Sequence, residues 1–386
     1  MGSLKDKIAV VGMGCVKSGE HWDKNERDLT VDAVYEALGD AGLAPKDIQA
    51  AWVGSEGSGL NAAMKFDYIP VSHVYNGCTT DGFRNACAWV AAGCYDIVLV
   101  SGAAKQKDAG TTGIAVKSEA YMGSGVAVGG NAVLNSAGIA ANFALYAVRY
   151  MHHYGYTERQ IKEALASLAV KGHRNGALNP KAYFQKEITL EQALHAPLIA
   201  WPLGLYDCCA NVDGASAAII TRPEIAKHLR SDYVVLKGSG TAVGGGEGRL
   251  QQRYSFVGFP ENQLAGQRAY EMAGIKDPFK ELSHAELHDA FTVNELLDLE
   301  DLGLAAPGKA PEYIKAGAYD LEGQLPVNTS GGLKCCGQQM MYECYQQLQG
   351  KAGPRQVKNP TLSLAHNQGG LAGTFSAVVN IFGARD

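Results

Sequence analysis

The chain opens on a short apolar run, Ile8-Ala-Val-Val11, the pattern of a strand buried on both faces. Val31, Val34, Tyr35, Leu38 and Ala41 then recur at helical spacing. They predict a helix with Thr30 as its cap, Gly42 as its stop and Pro45 beyond it. Ala51-Trp-Val53 reads as the next strand. The stretch from Val74 to Gly93 is the end of a strand, a tight turn at Asn76-Gly77, one cysteine at position 78, and a helix from about Asp81 to Ala92. Gly93 closes that helix, and Ile97-Val-Leu-Val100 is a strand again. From about residue 104 to 203 glycine-rich loops alternate with helices over 142–154 and 157–174, the second opened by a capping box, Thr157 to Gln160. Inserted between strands, this segment reads as a cap over the sheet. Tyr206 to Gly214 is a polar turn, and Ala215 to Ile220 returns to the sheet.

The pattern then repeats. Tyr233-Val-Val-Leu236 matches the first strand, Gly238-Ser-Gly240 matches Gly12-Met-Gly14, and the helix from Leu264 to Gly274 matches the first helix. Ala285-Glu-Leu287 matches Ala51-Trp-Val53. The unit from Asn328 to Gly350 answers the unit around Cys78, and Pro360 to Leu364 stands where Ile97 to Val100 stood. A helix over 293–302 follows His288-Asp-Ala-Phe291. Two similar α/β halves predict pseudo-twofold packing, with functional loops at the junction.

Composition narrows the field. With 386 residues, a formal charge of -5 and 46% hydrophobic residues, the chain is long enough for two cores. No Lys/Arg cluster points to nucleic acid. No apolar run is long enough to span a bilayer. The first residues lead straight into a strand, so no signal peptide is expected, and Asp6 stands where a myristoylation signal needs Ser or Thr. The nine cysteines form no C-x-x-C pair, which predicts reduced thiols in a cytoplasmic protein and no metal in this chain. Gly12-Met-Gly14 is not a dinucleotide fingerprint, because Lys17 holds the third glycine position and the helix comes too late.

Chemistry collects in three loops and the tail. Cys78 sits at or just before a helix start, where unpaired N–H groups and the helix dipole stabilise a thiolate. A buried packing cysteine is the commoner fate of a free thiol. The helix-start position also suits a nucleophile for covalent acyl transfer, and the C-terminal half adds weight to that reading. His288, the loop from Asn328 to Gln339, and the tail loop His366-Asn-Gln-Gly-Gly370 fall at the same end of the inferred sheets.

Asp213-Gly-Ala-Ser-Ala217, His288-Asp-Ala-Phe291-Thr-Val-Asn-Glu-Leu296, Asn328-Thr-Ser-Gly-Gly-Leu-Lys334 and His366-Asn367 together resemble the thiolase superfamily, and its sterol-carrier-protein type in particular, over nearly the whole chain. The resemblance implies a duplicated thiolase fold in α/β/α/β/α layers with an inserted loop domain: an N-terminal half over 1–230, its insertion at about 104–203, and a C-terminal half over 231–386. It implies a homodimer or tetramer that makes or cleaves carbon–carbon bonds beside a coenzyme A thioester, with Cys78 as the acyl-accepting nucleophile. Some relatives add a small companion subunit with a zinc ribbon and an OB fold.

The departures are specific. Where the family carries Gly-His-Pro this chain has Gly337-Gln338-Gln339. Where relatives have a cysteine in His-Asp-Cys-Phe it has Ala290, and His366 stands near the place of the acid/base cysteine of Cys-x-Gly. The expected catalytic set is therefore Cys78, His288, Gln338 and His366. His288 and Gln338 would donate hydrogen bonds to a thioester or enolate oxygen, and His366 would act as general acid/base. Cys335 and Cys336 read as packing residues, Asp289 and Asn328 as supporting or turn residues. A degradative member such as the thiolase subunit that cleaves benzoylsuccinyl-CoA suits Gln338. The rivals are a retro-aldolase on the same fold, in which Tyr342 or Tyr345 would matter, and a non-catalytic CoA- or lipid-binding subunit.

Overall fold

The computed structural model describes residues 3–54, 58–74, 80–107, 138–246, 254–332, 337–370 and 372–385. The strands are β1 (Ala9–Cys15), β2 (Ala50–Val53), β3 (Val71–His73), β4 (Ile97–Lys105), β5 (Leu198–Ala200), β6 (Leu203–Gly204), β7 (Asp213–Thr221), β8 (Val234–Val243), β9 (His284–Glu286), β10 (Leu362–Gly369) and β11 (Ser376–Ala384). The longer helices are α1 (Glu26–Ala41), α2 (Thr80–Ala91), α3 (Gly138–Tyr154), α4 (Glu158–Ala177), α5 (Pro260–Ala273), α6 (Thr292–Asp301) and α7 (Gln338–Leu348).

Nine strands form one sheet in the order β3-β2-β4-β7-β1-β8-β11-β10-β9. Outward from the β1–β8 contact, both sides run alike. β7 and then β4 pair antiparallel, and β2 parallel, on one side; β11 and then β10 pair antiparallel, and β9 parallel, on the other. The strands are apolar on both faces because helices cover both. Ala9, Val11, Leu99 and Ile219 pack with Leu29, Ala33 and Val34 of α1 on the first outer face. Val10, Val98, Ile220, Leu236 and Ala365 pack with Phe83 and Val90 of α2 and Met340 and Met341 of α7, a shared middle layer. Leu364, Val379 and Ile381 pack with Ala265 of α5 and Leu296 of α6 on the second outer face. The layers are therefore α/β/α/β/α, the duplicated thiolase architecture.

The paired glycines have a packing role. A Cβ on Gly12 would lie 2.4 Å from the Ala37 carbonyl oxygen, and one on Gly14 2.0 Å from that of Ala33. Gly238 and Gly240 repeat this against Ala269 and Ala265, at 2.3 and 2.0 Å. Only glycine lets each helix backbone lie this close to its strand.

Two local expectations change. The α1 cap is Asn25, not Thr30: Asn25 and Asp28 exchange side-chain-to-backbone bonds of 3.0 and 3.1 Å, while the Thr30 hydroxyl donates to the Glu26 carbonyl. The helix gains a turn at its start, and Tyr35, assigned to the apolar face, is 51% exposed. The Thr157–Gln160 capping box forms as read. Between α4 and β7 the inserted segment also carries a small β5–β6 pair.

Candidate active site

Cys78 lies outside the described residues, as do the Asn76-Gly77 turn, Cys335 and Cys336. What is described is the frame around them. The helix α2 begins at Thr80, two positions after Cys78, and α7 begins at Gln338, whose side chain is also outside the description. His288 lies two residues beyond the end of β9.

These pieces converge on one side chain, Asn367 of β10. Its Nδ2 lies 3.2 Å from His288 Nδ1, and its Oδ1 accepts from the Thr80 hydroxyl at 3.4 Å. A Cβ on Gly337 would lie 2.2 Å from Oδ1, so any larger residue before α7 would have to displace the Asn367 amide. Asn367 thus touches the first turn of α2, the residue preceding α7, and His288, while only 4% exposed.

His366 departs from expectation. It is not in a loop after the strand but inside β10, fully buried. Adjacent strand residues point to opposite faces. Ala365 and Asn367 face the middle layer with α2 and α7; Leu364 and His366 face the outer layer with α5 and α6. His366 Nδ1 accordingly lies 3.4 Å from Asp298 Oδ2 on α6, and Asp298 Oδ1 accepts from Asn262 of α5 at 2.7 Å. Burial pushes the imidazole down to about 3 and the Asp298 carboxyl well above its usual range. Burial works against the charged form of each partner, and this long contact offsets little of that. At neutral pH His366 is not poised to exchange a proton, and the expected acid/base role finds no support in its surroundings. The sequence held the signal for its neighbour: Asn367-Gln368-Gly369 has the spacing of Cys-x-Gly, with asparagine at the cysteine position.

Buried polar groups hold the floor of the site. Asn328 adopts a left-handed conformation (φ 56°), and its Oδ1 accepts from the Leu287 amide at 2.7 Å. Asn175 of α4 donates to its carbonyl at 3.0 Å, and Asn179 donates to that of Ser330 at 2.8 Å. The Ser330 hydroxyl donates to Glu286, and Thr329 donates to Glu343, which also receives Arg355 at 2.9 Å. Asp289 approaches Gly332 closely enough that a Cβ there would lie 2.0 Å from its carboxylate. On the first turn of α7, Gln339 donates to Ser18 at 3.1 Å beside a cavity of about 30 Å³, which sequence reasoning missed.

Other candidates lie elsewhere. Burial pushes the Cys208 and Cys209 thiols up to about 12 and Cys87 higher still, the opposite of activation. The Tyr345 hydroxyl donates to Asp40 at 2.7 Å, and that of Tyr342 lies 3.4 Å from Glu36; burial raises both. Among the described residues, no three His, Cys, Asp or Glu side chains meet as a metal site, and no helix is long and apolar enough to cross a membrane.

Comparison with known proteins agrees with this architecture. Residues 246–383 match the family model described as thiolase C-terminal domain-like. An acetyl-CoA acetyltransferase of Methanothermobacter thermautotrophicus is 32% identical, over 97% of this chain and 99% of that one. The benzoylsuccinyl-CoA thiolase subunit BbsB of Thauera aromatica is 28% identical, over 86% of this chain and 84% of its own. The solved Ltp2-ChsH2(DUF35) aldolase superposes with a TM-score of 0.82 at 27% identity, covering 99% of this chain and 98% of that one. The chain belongs to the thiolase superfamily, and within it to the sterol-carrier-protein type.

Proposed function

We propose that this chain is a thiolase-type acyl-CoA acyltransferase, cleaving a β-ketoacyl-CoA with CoA or running the reverse Claisen condensation. One observation carries the reading: the start of α2, two residues after Cys78, is held against Asn367 together with His288 and the residue before Gln338. The Cys78 thiolate attacks the keto carbonyl carbon. The new oxyanion takes hydrogen bonds from the site, and its collapse breaks the carbon–carbon bond. The acyl-CoA fragment leaves as an enolate, His288 and Gln338 donate to its oxygen, and water supplies the proton to carbon. CoA thiolate then takes the acyl group and frees Cys78. A degradative β-ketoacyl-CoA such as benzoylsuccinyl-CoA, giving benzoyl-CoA and succinyl-CoA, is the substrate class we favour, on the likeness to the Thauera subunit. The named pairing in the aldolase structure supports a companion subunit; we take it to be small and to sit beside a homo-oligomer of this chain.

The test is to trap the intermediate. Protein mixed with a β-ketoacyl-CoA and no free CoA, then quenched in acid and digested, should carry the acyl increment on the Cys78 peptide, and added CoA should discharge it. Cys78→Ser should show little adduct. A second reading, retro-aldol cleavage of a CoA thioester, is favoured by asparagine at the acid/base cysteine position and by the aldolase likeness. Undiminished carbon–carbon cleavage by Cys78→Ala would establish it in place of acyl transfer.

A further inference from the structure

We propose that Asn367 is the positioning residue that holds His288 as a neutral imidazole with its proton on Nε2, making His288 a hydrogen-bond donor rather than a base. The amide nitrogen of Asn367 carries two hydrogens and accepts nothing. Lying 3.2 Å from His288 Nδ1, it obliges that nitrogen to accept. A neutral ring that accepts at Nδ1 has its hydrogen on Nε2. An imidazolium would set N–H against N–H and is disfavoured by the same contact.

At its other end the amide meets a hydroxyl. Oδ1 accepts from the Thr80 hydroxyl at 3.4 Å and is packed against Gly337, with Asn367 almost wholly buried. The α2 start and the α7 start thus hold in place the amide that faces the histidine in the loop after β9. The chemical consequence concerns the same site as the functional reading: an Nε2–H donor stabilises an enolate oxygen and does not remove a proton from carbon. Asparagine cannot shuttle that proton either.

The experiment needs no substrate, so a failed thiolysis assay leaves it untouched, and a reversed tautomer leaves acyl transfer through Cys78 standing. The full chain is labelled with 15N-histidine and its ten imidazoles are observed by NMR at neutral pH. The His288 signals are those lost in His288→Gln or, if that variant does not fold, in His288→Asn. The expected result is a protonated Nε2 and a bare Nδ1. Asn367→Asp should exchange the two, because a carboxylate only accepts. A wild-type His288 with its proton on Nδ1, a doubly protonated ring, or an Asn367→Asp spectrum with the tautomer unchanged would overturn the proposal.

Discussion

The two ends of the sheet share one packing plan and bury different things. Gly14 lies under the Ala33 carbonyl, and Gly240 under that of Ala265, each leaving 2.0 Å for an absent Cβ. Around α1 the covered strand faces are drier, built mainly from Ala9, Val11, Leu99, Ala217 and Ile219, with only the short side chains of Ser101 and Thr221 among the polar residues on the faces of β4 and β7 that hold Leu99 and Ile219. Behind α5 and α6 the interior holds Asn262, Asn294, Asp298, His366 and Gln368, all buried. Buried polar groups cost stability unless fully paired. Repetition has therefore preserved the backbone contacts, which tolerate no side chain. The larger cluster of buried polar side chains lies at the end of the sheet whose inner face carries Asn367, while the other half buries the Lys105–Asp213 pair.

The largest expected effect tests the polar interior. Lys171 of α4 pairs with Glu295 of α6, with 4% and 3% of their side chains exposed. Lys171→Met leaves Glu295 buried without its cation and should cost about 4 kcal/mol in denaturant unfolding. A loss below about 1 kcal/mol would mean that this interior is no more demanding than the drier one. Next come the glycines: Gly14→Ala and Gly240→Ala should each cost roughly 3 kcal/mol, since a backbone oxygen cannot step aside as a side chain can. A substitution tolerated in one half only would break the equivalence of the two.

The paired helices α2 and α7 sharpen the contrast in chemistry, one following the proposed nucleophile and the other opening on an amide. Gln338→Ala should lower turnover by a factor on the order of 100, as loss of an oxyanion donor does, and Gln338→His should be tolerated better. Full activity in the alanine variant would remove Gln338 from the site.

The smallest effect is a slope. Folded Asp298 keeps a proton that the unfolded chain releases above about pH 3.9, so its stabilisation fades as pH rises. Folded His366, lowered to about 3, refuses a proton that the unfolded chain takes below about pH 6.5, so its stabilisation fades as pH falls. Between those limits the two slopes oppose. Asp298→Asn leaves the histidine slope alone, and stability should rise from about pH 4 to 6.5 more steeply than in the wild type, by up to ~1.4 kcal/mol per pH unit. Identical slopes would show that Asp298 is ionised in the folded protein.

Much of this was legible in the chain. The spacing of Val34, Leu38 and Ala41, the stop at Gly42, the Thr157–Gln160 box and the matched Gly-x-Gly pairs depend on near neighbours in sequence, and each appears in the structure. The cap of α1 was missed because Asn25 and Thr30 both suit the role, and only the chain's path from β1 selects between them.

The deeper miss was one residue wide. His366 and Asn367 are adjacent and both polar, and the sequence by itself determined that this pair ends the last repeat near the site. It could not say which of the two faces it. In a strand with one wet face, the alternation of polar and apolar residues assigns the faces. Here α2 and α7 cover one side of β10 and α5 and α6 the other, so both faces are buried and the alternation is silent. Only the tertiary structure, by fixing the register of β10 between β9 and β11, turned Asn367 toward His288 and His366 toward Asp298.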